Sequence, residues 1–326
     1  MSMKSLVEPK ICLAILNHNG RAHLEHLLPT AFQAVTNFGS PCPIVLLDNQ
    51  SSDDDVEWVG SNYPQVDVVV SPKPDYVFSY NWLLARRDES VVILLNNDLK
   101  LSPNLIGCLL KHFSDQTTFA VSCKSYSWGT ENINSGPCTF KVRHRGWLVA
   151  EFQKDRQFVS YTLFCGGGAV AVDRIKFLEL GGFDRLFYPA YGEDKDLCFR
   201  AWCRGWKCIY EPECHVYHRE GGTWDSGANL SRKLIERSNY LFMWRNFRSL
   251  RFQIAHRLYL AWLSVRKRIE GDDDWLENLR EARQIWRERR TESLSTASPV
   301  GDLKALQMVC GSRVDECLAK FANSTK

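Results

Sequence analysis

The chain has 326 residues, 44% hydrophobic and 24% charged, with a formal net charge of +3. That length holds one large domain with an appendage or two small ones, and the composition is that of a soluble globular protein. The charge balance is too small to imply a nucleic-acid partner, and the positive charge is local: residues 231–270 carry ten Lys/Arg against two Glu. Residues 1–10 contain no apolar signal-peptide core. The longest apolar runs, such as Val91 to Leu95, are strand-length and far short of the roughly 20 residues that span a bilayer. Twelve cysteines without a secretion signal read as reduced thiols, so a cytoplasmic location is expected.

Ile11 to Leu16 forms a continuous apolar strand ended by Asn17-His18-Asn19-Gly20. Leu24, Leu27, Leu28, Ala31, Phe32 and Val35 then recur at helical spacing. Pro43 to Leu47 is a second strand, stopped by Asp48-Asn49-Gln50-Ser51-Ser52-Asp53. Val66 to Val70 reads as a third, Phe78 to Ala85 as a helix, and Val91 to Leu95 as a fourth strand ending in Asn96-Asn97-Asp98. Apolar strands alternating with helices predict a parallel sheet covered on both faces. Ligands of such sheets sit beyond the carboxyl ends of the strands. Three of these ends carry Asn17/Asn19, Asp48/Asn49 and Asn97/Asp98, which predicts one shared site. The first crossover lacks G-x-G-x-x-G and no P-loop lysine motif occurs, leaving a sugar nucleotide or similar diphosphate bound through a metal.

Residues 115–160 are less regular and are expected to cross the site as mixed strands. Gly166-Gly167-Gly168, ahead of Ala169 to Val172, is either a tight bend or a close backbone approach to a ligand. Ile175 to Leu180 reads as a short helix stopped by Gly181-Gly182. Chemistry collects at Gly192 to Arg200, where Glu193, Asp194 and Asp196 head a helix with Leu197, Phe199, Ala201 and Trp202 on its buried side. Carboxylates there can act as general base, as metal ligands, or as an acidic cap paired with Arg200. Cys198, Cys203, Cys208 and Cys214 lack paired C-x-x-C spacing and read as small buried hydrophobes ahead of a zinc site.

Residues 230–290 predict helices in which Leu234, Leu241, Trp244, Phe247, Ile254, Leu258 and Trp262 alternate with Arg237, Arg245, Arg248, Arg251, Arg257 and Arg266. That mixture suits packing on the rest of the chain with solvated arginines, and adds peripheral membrane contact through 231–270 as a second role. Thr291 to Val300 is a small-residue linker. Leu303, Leu306, Val309, Val314 and Leu318 suggest a terminal helix suited to self-association.

The segments Ile15 to Asn19, Leu47 to Asp53, Leu94 to Asp98, the glycine turn and Gly192 to Arg200 occur in the order seen in family 2 glycosyltransferases. Over roughly residues 10–245 the chain resembles that family, and within it the branch of rhamnosyltransferases and galactofuranosyltransferase-like enzymes. The resemblance implies an α/β GT-A fold over 1–230, with a mostly parallel central sheet flanked by helices. A basic, aromatic helical extension over 231–290 and a linker with terminal helix over 291–326 would follow.

Residue by residue, the resemblance implies that Leu16, Asn17 and Asn19 line the nucleotide base pocket and that Asp48 binds base or ribose. Asn96-Asn97-Asp98 stands where the family has Asp-x-Asp. The first Asp is replaced, so Asp98 becomes the main carboxylate for Mg²⁺ or Mn²⁺, with Asn97 and Gly167 beside the donor. Asp194 matches the catalytic base, supported by Glu193 and Asp196. His218 completes the metal site ahead of His215. The implied activity is inverting, metal-dependent transfer of a sugar such as rhamnose from a dTDP- or UDP-linked donor to a surface-glycan or lipid-linked acceptor. Two alternatives stand beside it. A sugar-nucleotide nucleotidyltransferase would need a Gly-rich basic loop after the first strand, and a catalytically silent glycan- or partner-binding module would not need Glu193, Asp194 and Asp98.

Overall fold

Strands that are apolar at every position have no face to leave in water, so each must be covered on both sides. In the computed structural model the four such runs near the N-terminus lie side by side. The structure describes residues 9–143, 147–166, 168–219, 228–291 and 300–310. Strands β1 (Ile11–Asn17), β2 (Ile44–Asp48), β3 (Asp67–Val70) and β4 (Val91–Asn96) pair in parallel in the order β3-β2-β1-β4. Helices α1 (Arg21–Phe38), α2 (Asp55–Asn62) and α3 (Ser79–Leu84) lie on the connections. Asn17 pairs with Asp48, and Leu16 with both Leu47 and Asn96, so the polar strand ends finish level with one another.

Period-two alternation divides the core. Cys12, Ala14, Val45, Leu47, Val92 and Leu94 belong to one apolar cluster; Leu13, Ile15, Ile44, Leu46, Ile93 and Leu95 belong to the other, beneath Leu24, Leu27, Leu28 and Ala31 of α1. The second half of the sheet departs from the expected parallel pattern. β11 (Ala169–Asp173) runs antiparallel to β4 and to β6 (Thr118–Ser127), whereas β12 (Lys207–His218) is parallel to β6 and β10 (Ser160–Tyr161) closes that edge. β5 (Leu99–Leu101) pairs with the end of β12, and β7 (Ile133–Ser135) with β6. The sheet is therefore mixed, with β11 reversed between two sets of parallel strands. The hairpin β8 (Cys138–Arg143) and β9 (Trp147–Phe152) stands apart from it.

The remaining helices are α4 (Leu105–Leu110), α5 (Arg174–Glu179), α6 (Glu193–Cys203), α7 (Ala228–Asn246), α8 (Leu250–Glu270), α9 (Asp273–Arg289) and α10 (Asp302–Cys310). Leu241, Phe242, Met243 and Phe247 at the end of α7 enter the same core cluster as Leu197, Phe199 and Trp202 of α6. Phe140 of β8 meets the rings of Phe199, Phe242 and Phe247. Two arginines expected to be solvated are buried instead. Arg237 donates to Glu281 Oε1 at 2.8 Å and to the Tyr188 carbonyl at 2.9 Å. Arg245 lies 2.9 Å from Asp184 and 3.1 Å from Asp196.

Among the described residues no helix is long and apolar enough to cross a membrane, and no disulfide joins the cysteines. Val314, Leu318 and most of the expected linker lie outside the described residues, while Leu306 and Val309 are buried in α10.

Asp196 is the pivot of this packing. Arg200 Nε donates to its Oδ2 at 2.7 Å, Asn246 Nδ2 to its Oδ1 at 2.8 Å, and the Arg200 head also donates to the carbonyls of Leu180 and Gly182, each at 2.7 Å. Burial alone would push the Asp196 acid up; the guanidiniums of Arg200 and Arg245 overcome it and hold the acid below the usual carboxylate range. Asp196→Asn should therefore destabilise the fold by about 3–5 kcal/mol, because buried Arg200 loses its counter-charge and Arg245 is left with Asp184. Urea unfolding at neutral pH measures this, and a loss near zero would mean that water reaches the site.

Candidate active site

The level strand ends open on a cavity of about 690 Å³. Its wall brings together Leu16, Asn17, Asn97, Asp98, Glu193, Asp194 and His218, seven of the residues singled out by sequence. Three others are placed differently. Asn19 and Asp48 are not on the wall, and Gly167 lies outside the described residues.

Asn17 explains why Asp48 and Asn19 stand back. Its Nδ2 donates to Asp55 Oδ2 at 2.7 Å and to Ser51 Oγ at 3.3 Å, while its Oδ1 accepts from Asn97 Nδ2 at 2.8 Å. Asp48 spends its oxygens on the turn that follows β2, accepting from the Ser51 amide at 3.0 Å and the Ser51 hydroxyl at 2.5 Å. Asn19 grips the same turn through the Ser51 hydroxyl and the Ser52 amide, at 2.9 and 2.7 Å. Asp48 is buried under the loop whose neighbours reach the cavity, while Asn19 is exposed on it. Asn49 does reach it, and its Oδ1 accepts from Ser71, Ser79 and the Asp75 amide.

Sheet pairing brings Asp98 to His218. β5 begins one residue after Asp98, and its Leu99 is the partner of His218 on β12. The Arg219 amide then donates to the Asp98 carbonyl at 3.0 Å. His218 Nε2 lies 3.2 Å from Asp98 Oδ1. That oxygen is buried and accepts no hydrogen bond among the described residues. A buried carboxylate oxygen without a donor, beside an imidazole nitrogen at this spacing, fits adjacent ligands of a divalent cation held at about 2.1 Å. Among the described residues the cavity wall carries no Lys or Arg, so a bound diphosphate would find its counter-charge only in such a cation. His215 is elsewhere, edge-on to Tyr126 and Tyr217.

On the cavity wall, α6 presents Glu193 and Asp194 from its first turn. It starts at Gly192, whose φ of +91° is the left-handed region that a side chain rarely adopts, and a Cβ there would stand 3.0 Å from Ser238. Gly166 passes so close that a Cβ on it would meet Asp194 Oδ2 at 3.3 Å and the Phe164 ring at 3.1 Å. The glycine run is therefore a close approach of backbone to the carboxylate. Both carboxyls open to the cavity yet sit deep enough to lose hydration. Burial pushes Asp194 up to about 6, with the neighbouring Cys198 adding to it, and pushes Glu193 up to about 8, with Asp194 adding to it. Glu193 Oε2 has no hydrogen-bond partner among the described residues. Asp196, expected to support these two, points the other way into its arginines.

Several wall residues had no sequence signal of their own. Tyr76, Val77, Tyr188, Tyr191 and Ser231 line the cavity from loops and from α7, with Tyr76 edge-on to Tyr188 at 5.7 Å. Tyr76 and Tyr191 carry positive φ of 52° and 68°, strained conformations of the kind that gather at working sites. The β6–β10 segment, expected to cross the site, contributes no wall residue among those described.

Comparison with known proteins bears on the fold. No family model matches the chain. A Drosophila melanogaster protein named as a candidate polypeptide N-acetylgalactosaminyltransferase 10 is 26% identical over 141 residues, covering 39% of this chain and 22% of that protein. The structure of GalNAc-T7 with UDP, GalNAc and Mn²⁺ superposes with a TM-score of 0.56 at 16% identity, over 74% of this chain and 48% of that one. The mannosyltransferase PcManGT from Pyrobaculum calidifontis, in complex with GDP-Man and Mn²⁺, gives 0.52 at 15% identity, over 96% and 84%. The chain has a GT-A fold. Within it, the cavity lies where β1 and β4 end, with Asp98 after β4 and His218 at the end of β12 on its wall, and Glu193 and Asp194 at the start of α6.

The raised Asp194 acid has a consequence for stability. A carboxyl whose pKa is higher in the folded than in the unfolded chain is a burden above pH 4, where the unfolded chain holds it ionised at no cost. Asp194→Asn should therefore unfold at a higher temperature than the parent at pH 7, with the two midpoints converging as the pH falls to 4. Equal midpoints at pH 7 would mean that the carboxyl is fully hydrated.

Proposed function

We propose that this chain is an inverting, metal-dependent glycosyltransferase that moves a sugar such as rhamnose from a dTDP- or UDP-linked donor to a surface-glycan or lipid-linked acceptor. The observation that carries the reading is the meeting of two groups on the wall of one cavity: Asp98 with His218, and Glu193 with Asp194. Asp98 and His218 would hold Mg²⁺ or Mn²⁺. When bound, the ion supplies Lewis-acid neutralisation of the charge that grows on the leaving diphosphate. Leu16, Asn17, Asn49, Tyr76 and Asn97 provide apolar, aromatic and amide surface for the nucleotide. Asp194 takes the proton of the acceptor hydroxyl as that oxygen bonds to the anomeric carbon and the carbon–oxygen bond to the diphosphate breaks. A single displacement of this kind inverts the anomeric centre. Glu193, with its acid pushed up to about 8, stays protonated at neutral pH and leaves Asp194 as the ionised base.

The alternatives have less support. A nucleotidyltransferase attacks a phosphorus and wants cationic side chains around the triphosphate, which this wall lacks among the described residues. A silent binding module has no need to hold Asp194 ionised where burial disfavours its charge.

Peripheral membrane contact also belongs to this reading. Leu250, Ile254, Leu258, Trp262, Val265 and Ile269 are exposed along one face of α8, and Leu258 is 67% exposed. Phe252, His256 and Leu260 are buried on the opposite face. Arg257, Arg266 and Arg268 are also exposed on this helix, the pattern of a helix lying in an anionic lipid surface where a lipid-linked acceptor would be found.

Transfer assays with dTDP- and UDP-sugars and Mn²⁺ test the activity. Asp194→Asn should lose turnover by at least about a hundredfold while still binding donor nucleotide in a thermal-shift titration. Asp98→Asn or His218→Ala should weaken the Mn²⁺ dependence of binding. Unchanged turnover in the presence of a chelator overturns the metal assignment, and full activity of Asp194→Asn overturns the base. For the parent, turnover per bound donor should fall as the pH drops through about 6, where Asp194 takes up a proton. A Leu258→Glu/Trp262→Glu pair should abolish sedimentation with phosphatidylglycerol vesicles and leave turnover on a water-soluble acceptor intact; sedimentation at the parent level would remove the membrane role.

A further inference from the structure

Behind the candidate base, a loop, a helix and a strand each send one cysteine to the same buried point. Cys165 precedes Gly166 on the cavity wall. Cys198 lies one turn along α6 from Asp194, and Cys208 starts β12, the strand that ends in His218. The three sulfurs all lie within 4.8 Å of one another, and all three side chains are buried. The Cys165 amide also donates to Cys198 Sγ at 3.5 Å, a contact that favours a charged sulfur over a neutral one. Of the cysteines grouped by sequence, Cys203 and Cys214 stay outside this cluster, and Cys165 from the glycine loop takes their place. Among the described residues no other three metal-ligating side chains approach so closely.

Small apolar side chains have no reason to bring three sulfurs together at the meeting point of three separate elements. Metal ligands do. Sulfurs bound at about 2.3 Å to one trigonal or tetrahedral ion lie about 3.8–4.0 Å apart, so closing this cluster on an ion asks for shifts of less than about 1 Å. Three thiolates select soft d¹⁰ ions such as Zn²⁺ or Cu⁺ and disfavour the oxygen-loving Mg²⁺ and Mn²⁺.

We propose that Cys165, Cys198 and Cys208 form a second metal site, for one thiophilic d¹⁰ cation. Each metal–sulfur bond forms as an S–H bond breaks and its proton leaves to solvent, with no change in oxidation state. The bound ion ties the glycine loop, the start of α6 and β12 together. It thereby fixes the Asp194 side of the cavity relative to the strand that carries His218. The site stands independently of the transferase reading, since it rests on the three sulfurs alone.

Titration of the reduced full-length chain with Cd²⁺ tests it. The ultraviolet thiolate-to-cadmium absorption should saturate at one ion per chain, persist in excess Mn²⁺, and lose about a third of its intensity in Cys208→Ser, one thiolate of three. Zn²⁺ and, without oxygen, Cu⁺ should each displace Cd²⁺, and the one that remains bound through gel filtration is the preferred occupant. Should serine variants fail to fold, alkylation of the parent protein at sub-denaturing urea, mapped by mass spectrometry, gives the answer. Cd²⁺ should protect Cys165, Cys198 and Cys208 at least tenfold and leave Cys12 and Cys42 unchanged. No charge-transfer absorption in the folded chain, or protection that spares these three, overturns the proposal.

Discussion

A carboxylate held between two buried guanidiniums sets the direction of helix α6. Asp196 binds Arg200 one turn further along α6 and Arg245 from α7, and Arg200 in turn holds the Leu180 and Gly182 carbonyls. Residues two apart on a helix point about 200° away from each other. Anchoring Asp196 into the protein therefore turns Asp194 outward to the cavity. The three acids of one short motif, chemically alike, are divided by this geometry into a structural ion and two raised carboxyls. Because ion pairing lowers one acid and lost hydration raises the other two, each ends in a different protonation regime within four residues.

The second constraint is that, among the described residues, the cavity wall carries no Lys or Arg side chain. That wall presents amides, aromatics and one unsatisfied carboxylate oxygen at Asp98. A site built this way has little affinity for a diphosphate by itself and gains it with a divalent ion. Lys195 beside Asp194 favours its ionised form, but burial outweighs that cation and controls the acid.

Helix α8 carries apolar residues on two opposed faces, which is why its amphipathic pattern is hard to see as a single stripe. The inner face, with Phe252 and Leu260, continues the packing of the C-terminal helices; the outer face has Leu258 and Ile269 in the open. Arg245 and Asn246 of α7 join Asp196, so α6 is tied to the C-terminal helices.

Much was legible in the residues themselves. Runs of apolar residues ending in Asn or Asp placed β1, β2 and β4, and their shared polar ends announced a site, because strand length and alternation are local properties. The acidic start of α6 was equally plain. Other features depended on partners distant in the chain. The five residues of Ala169–Asp173 contain nothing that fixes their direction, and only pairing with β4 and β6 reversed β11. Asp48 and Asn19 read as ligand contacts from the strand ends, and only the packed chain shows that they also hold the Ser51–Ser52 turn. Asp98 met His218 because β5 pairs with β12, and Cys165 joined Cys198 and Cys208 because a loop folds against a helix and a strand. Sequence determined which chemistry was present and near which strand ends; tertiary structure decided which side chains face one another, since orientation and long-range pairing are properties of the packed chain and of no segment within it.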